Sequence, residues 1–109
     1  MNNNLLIIYS EAIIMKTNGK TPGTLLLEYI SKNGLNCNRV AKEIRCSQTA
    51  LRLISLDKSR ITASVAVRLA KYFNTKPEYW LLTQMKHDLV KAAGNKTLNK
   101  KLVSISSAE

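Results

Sequence analysis

The chain has 109 residues, 45% of them apolar, and its seventeen Lys and Arg against seven Asp and Glu give a net charge of +10. That length holds one domain, and this apolar share fills a core without disulfide or metal staples. The two cysteines, Cys37 and Cys46, form no CxxC pair and have only His87 for company, which excludes a zinc framework and predicts no metal and no cofactor.

The apolar stretch over residues 5–14 is interrupted by Tyr9, Ser10 and Glu11, well short of the roughly 18 apolar residues of a membrane span. The residues before it carry no Lys or Arg and no small-residue cleavage site follows, so it does not read as a signal peptide. The expected compartment is the cytoplasm, with both cysteines reduced. Catalysis finds no support. His87 and Asp88 are adjacent, so on a helix their side chains diverge, and no nucleophile–base pair or glycine-rich phosphate loop accompanies them. The sequence does not read as an enzyme.

Residues 1–20 read as an N-terminal extension, within which Met15 offers an alternative start. A domain is expected over residues 21–93. Thr21-Pro22 is an N-cap followed by proline at the first helical position. Leu25, Leu26, Tyr29 and Ile30 recur at helical spacing until Gly34 supplies a left-handed stop. A second helix is predicted from about Cys37 to Ile44, with Val40, Ala41 and Ile44 inward. A tight turn at Arg45-Cys46 leads to Ser47, the N-cap of a third helix that ends near Ser55 and buries Leu51 and Ile54. After a polar loop at residues 57–60, Thr62 caps a fourth helix with the stripe Ala66, Leu69, Ala70 and Phe73. Thr75-Lys76-Pro77-Glu78 opens a fifth, whose apolar side is read as Tyr79, Trp80, Leu82, Met85 and Leu89, with both aromatics in the core. Residues 94–109 read as a basic, loosely ordered tail. The class is all-α.

Helices two and three, separated by a short turn and with the small Ala41 at their crossing, fit a helix-turn-helix. Around them Lys32, Arg39, Lys42, Arg45, Arg52, Lys58 and Arg60 are opposed only by Glu43 and Asp57, a concentration of charge suited to a polyanion. If the third helix enters a major groove, its polar outward residues Gln48, Thr49, Arg52 and Ser55 are the candidates for base contact. Gln48 suits adenine and Arg52 suits guanine. Arg39, Ser47, Lys58, Ser59 and Arg60 are the candidates for phosphate. Two such helices related by a dyad predict a homodimer on double-stranded operator DNA.

Thr21-Pro22-Gly23, Ile61-Thr62-Ala63, Arg68-Leu69-Ala70-Lys71-Tyr72-Phe73 and Lys76-Pro77-Glu78-Tyr79-Trp80-Leu81 through Asp88-Leu89 resemble the HigA/VapI-type antitoxins of the Xre (lambda-repressor-like) helix-turn-helix family. The resemblance covers about residues 21–90. It implies a five-helix lambda-repressor-like domain, homodimerisation, an operator bound as an autorepressor, and a cognate RelE/HigB-like mRNA-cleaving toxin in a type II toxin–antitoxin module. Toxin contact is expected at the extension, with Glu11 among Leu6, Ile7, Ile13 and Ile14, or on the first helix at Glu28 and Tyr29. Two positions depart from the pattern: Arg45 stands where glycine is usual in the turn, and Leu56-Asp57 replaces the frequent Asn-Gly. Left-handed backbone at such residues costs about 1 kcal/mol, so a reshaped turn is expected. The alternatives are a stand-alone repressor without a toxin and an interaction module that has lost DNA binding.

Overall fold

The computed structural model describes residues 20–108. Six helices run through them: α1 (Pro22–Lys32), α2 (Cys37–Glu43), α3 (Gln48–Ser55), α4 (Ala63–Phe73), α5 (Pro77–Ala93) and α6 (Lys96–Val103). The described part of the chain is all-helical, as the sequence predicts. Residues Lys20–Met85 form one compact unit, while residues 86–108 belong to a second. The 1–20 extension and its apolar stretch fall, but for Lys20, outside the described residues. No helix among the described residues is long and apolar enough to cross a membrane.

Helix starts follow the sequence. Thr21, Asn36, Ser47 and Thr62 each turn a side-chain oxygen onto the backbone N–H three residues later, at Thr24, Arg39, Ala50 and Val65. Each such cap satisfies a donor the helix leaves open and stabilises it by about 1 kcal/mol. Helix ends follow a second rule. Gly34, Arg45, Asp57 and Asn74 all take the left-handed conformation, with φ between 56° and 64°. The N–H of the residue after each one reaches back five positions, from Leu35 to Ile30, Cys46 to Ala41, Lys58 to Leu53 and Thr75 to Ala70, at 2.8–3.0 Å. These bonds close α1 to α4 and turn the chain sharply without long loops.

The core of the Lys20–Met85 unit contains Leu26, Val40, Ala41, Leu51, Ala66, Leu69 and Trp80, all inaccessible to solvent. Ala41 sits at the α2–α3 crossing, where a larger side chain would hold the helices apart. Trp80 donates its indole N–H to Thr75 Oγ1 at 2.8 Å, so its burial leaves no orphaned donor. Its ring lies among Tyr29, Phe73 and Tyr79, with centroids 5.2–6.2 Å away. The buried Gln84 reaches across to accept the Ile61 N–H at 2.9 Å, fixing the loop before α4 against α5.

Two expectations are corrected here. Trp80 belongs to the core, but Tyr79, Leu82 and Met85 are 42–47% exposed: α5 turns one narrow edge inward and leaves these three apolar side chains on the surface. In the second unit, α6 forms where a loosely ordered tail was expected. Asn95 caps it by accepting the Leu98 N–H, and Asn99 donates from its side chain to the Ala93 carbonyl.

One contact positions the α2–α3 pair on α1. A Cβ added to Gly23 would lie 2.5 Å from the Ser55 carbonyl oxygen and 2.8 Å from that of Ile54. The Gly23 N–H donates to Asp57 Oδ1 at 2.8 Å. The first turn of α1 thus rests directly on the last turn of α3, with a carboxylate at its positive end. Alanine is ordinarily the better helix former, yet Gly23→Ala is expected to destabilise the protein by about 1–3 kcal/mol, the range for overpacking against atoms that cannot move aside. Urea unfolding followed by circular dichroism measures it, and an unchanged or raised midpoint would contradict the close approach.

Candidate nucleic-acid interface

α3 has two sides. Leu51 and Ile54 are buried against the core, while Gln48, Thr49 and Arg52 stand exposed on the opposite side. Gln48 and Thr49 occupy the first turn and Arg52 the next, so the helix presents its N-terminal half with three hydrogen-bonding side chains outward. Ser55 does not join them. It is half-buried, and its hydroxyl donates to the Arg52 carbonyl at 2.6 Å, which turns it back onto its own helix. Of the four expected base contacts, the structure brings three together and sets Ser55 apart.

The expected phosphate contacts lie around this face. Ser47 caps α3 with its hydroxyl and is exposed. Lys58, Ser59 and Arg60 are exposed on the loop that follows the left-handed turn at Asp57. Arg39, on the outer side of α2, pairs with Glu43 at 3.6 Å, and the arginine side chain is 64% exposed. Glu43 also accepts the Tyr72 hydroxyl at 2.9 Å, which pushes the phenol above its ordinary range.

Asn38 escaped the sequence reading, and Lys42 entered it only as part of the basic cluster. The two, one turn apart on α2, line a groove of about 480 Å³ with Arg39, Glu43 and Gln48. Their spacing, away from the buried Val40, Ala41 and Ile44, is the signal that places them on Gln48's side. Beside the core, Cys37 and Cys46 are free and partly buried. Burial first, and then the nearby Cys46, raise the Cys37 thiol, which favours its unreactive protonated form.

The turn between α2 and α3 is not reshaped. Arg45 adopts φ 59° in the place of the usual glycine, and the Arg45 N–H returns to the Lys42 carbonyl at 3.2 Å. Leu56 keeps φ −96°, and Asp57 alone takes the left-handed position after α3. Arg68 of α4 explains how Arg45 is held there. Its guanidinium donates to the Ile44 carbonyl at 3.2 Å and to the Arg45 carbonyl, placing a cation at the negative end of α2. Sequence reading used Arg68 only as part of a motif, because nothing local ties it to residues twenty-odd positions earlier. Arg45→Gly retains these backbone bonds and removes the left-handed cost, so it should raise stability by about 1 kcal/mol. Arg45→Val should lower it by at least as much, since a β-branched residue tolerates positive φ least. Thermal midpoints of the two variants check both signs.

No protein-family model matches the chain. It is 38% identical over 69 residues to virulence-associated protein A′ of Dichelobacter nodosus, a match that covers 62% of this chain and 60% of that protein's length. It is 32% identical over 81 residues to an HTH-type transcriptional regulator of Haemophilus influenzae, covering 74% of this chain and 76% of the relative. Among solved structures, an addiction module antidote protein of the HigA family from Coxiella burnetii superposes with a TM-score of 0.71 at 31% identity, over 83% of this chain and 97% of that one. The antitoxin HigA of Pseudomonas aeruginosa, solved with the higBA promoter, shares the fold with a TM-score of 0.71 at 24% identity, over 83% of this chain and 98% of that one. Identity of 32% over about three quarters of both this chain and the Haemophilus regulator, and a helical architecture shared with the Coxiella protein, lead to one assignment: the chain belongs to the family of HTH-type transcriptional regulators.

Proposed function

We propose that this protein is a cytoplasmic antitoxin and autorepressor. It binds operator DNA as a homodimer through α3 and neutralises a RelE/HigB-like mRNA-cleaving toxin. The observation that carries the DNA half is the exposed face of Gln48, Thr49 and Arg52, flanked by Arg39, Lys42, Lys58 and Arg60 and set on a turn that keeps its left-handed residue. That retained turn removes the main reason for reading the fold as an interaction module without DNA binding. Likeness to the Coxiella antidote protein supports the toxin half.

The family-wide need for two half-sites directs attention to the exposed Tyr79, Leu82 and Met85, which offer apolar surface for a second copy. For the toxin, the first helix presents Leu27 and Glu28 outward, with Glu28 paired to Lys20 at 2.9 Å. Tyr29, expected beside Glu28 on that surface, packs instead against Phe73 and Trp80. With a net charge of +10, the protein is not drawn to a basic toxin by its overall field, so apolar burial has to hold the pair. A stand-alone repressor is the second reading. It is favoured by the likeness to the Haemophilus HTH-type transcriptional regulator.

Arg52→Ala should weaken binding to the DNA upstream of the protein's own gene by about 1–3 kcal/mol while leaving binding to unrelated duplex nearly intact. Lys58→Ala and Arg60→Ala should weaken both and flatten the salt dependence. Anisotropy titrations check this, and equal operator binding by wild type and the Gln48→Ala/Arg52→Ala double variant would remove α3 from recognition. Co-expression with the neighbouring reading frame tests the toxin. A complex that keeps its affinity between about 50 and 500 mM salt supports apolar pairing, because screening acts on exposed charges. Absence of a complex at every salt concentration favours the stand-alone repressor.

A further inference from the structure

The recognition face contains one side chain that neither hydrogen bonding nor packing explains. Thr49 and Leu53 are one helical turn apart, as are Gln48 and Arg52, and all four stand opposite the buried Leu51 and Ile54. Leu53 is 37% exposed, so a leucine lies alongside Arg52 and Thr49 on the surface read here as meeting DNA. Its place is firm: the Leu53 carbonyl accepts the closing Lys58 N–H at 2.9 Å. Isolated exposed leucines are common on soluble proteins. This one is not isolated, because its neighbours on the face are the three polar residues best suited to bases.

Base edges in the major groove offer donors, acceptors and a single kind of apolar group, the thymine C5 methyl. A leucine has no hydrogen-bonding atom. Set against a donor or acceptor edge, it would displace water and leave that edge unsatisfied, which is costly. Set against a methyl, both groups leave water and gain. We propose that Leu53 is a specificity-determining residue that packs on a thymine methyl in each operator half-site, beside the bases addressed by Thr49 and Arg52. This rests on the reading of α3 as the recognition helix.

The test separates the two ideas. A duplex selected from a random pool by the full-length protein is synthesised twice, once with thymine and once with uracil in its place, which removes only the methyl groups. Wild type should bind the uracil duplex about fourfold or more weakly, the scale of one buried methyl. Leu53→Ala, whose side chain is not part of the core, should keep the wild-type circular dichroism spectrum. It should bind the thymine duplex more weakly than wild type does and no longer distinguish it from uracil. Equal binding of both duplexes by wild type would overturn the proposal, as would a Leu53→Ala variant that keeps the full thymine preference, since another residue such as Thr49 would then sense the methyl. If no duplex is selected at all, the reading of α3 as a DNA-recognition helix fails, and this proposal fails with it.

Discussion

The absence of a side chain at Gly23 is the constraint on which the placement of α3 depends. α1 begins where α3 ends, and the two backbones approach until any Cβ would strike a carbonyl oxygen. Asp57 then joins them, its carboxylate accepting from the Gly23 N–H. A left-handed residue is needed at 57 to bring that carboxylate round, and aspartate tolerates that conformation better than most residues. One small residue and one acidic one therefore set the angle at which the outward face of α3 is presented.

The four left-handed closures extend the same economy through the unit. Each ends a helix, satisfies backbone carbonyls and reverses the chain within a few residues. Only one of the four is a glycine. Arg45 shows how tertiary context overrides local preference: its backbone is held by its own return bond and by the Arg68 guanidinium from α4. Because Arg68 reaches the carbonyls at the end of α2, the fourth helix braces the turn between α2 and α3 from behind. The α2–α3 pair is thus supported at both ends, by α1 at the end of α3 and by α4 at the end of α2.

This division explains what the sequence could convey. Caps at Thr21, Ser47 and Thr62 and the stripes of α1 to α4 are local signals, and they lead directly to the observed helices. Contacts between distant residues left no such mark. Arg68 looked like any surface arginine, and the turn at Arg45 looked strained because its support comes from elsewhere in the chain. The apolar residues of α5 suggested a broad buried side, but period alone does not say how much of a helix its neighbours cover. Leu98 and Leu102 are too few to announce α6 within a lysine-rich segment, and its Asn95 cap is visible only once the helix is known. Leu53, the subject of the proposed methyl contact, was passed over for a different reason: candidates for base contact are conventionally sought among polar types, whereas a major groove is not wholly polar.

Glu43 gives the basic surface a property that a list of its cations would not suggest. The carboxylate holds Arg39 in a weak surface pair and simultaneously receives the Tyr72 hydroxyl. In the proposed function, a phosphate that recruited Arg39 would exchange one anionic partner for another, and the carboxylate left behind would still have a hydrogen bond to rest on. Until a duplex arrived in the right register, the same negative charge would repel stray polyanions from this edge of α2. The acidic residue would then act as an internal counter-ion, and in the proposed function it would temper how strongly the protein clings to DNA of any sequence beside Arg39.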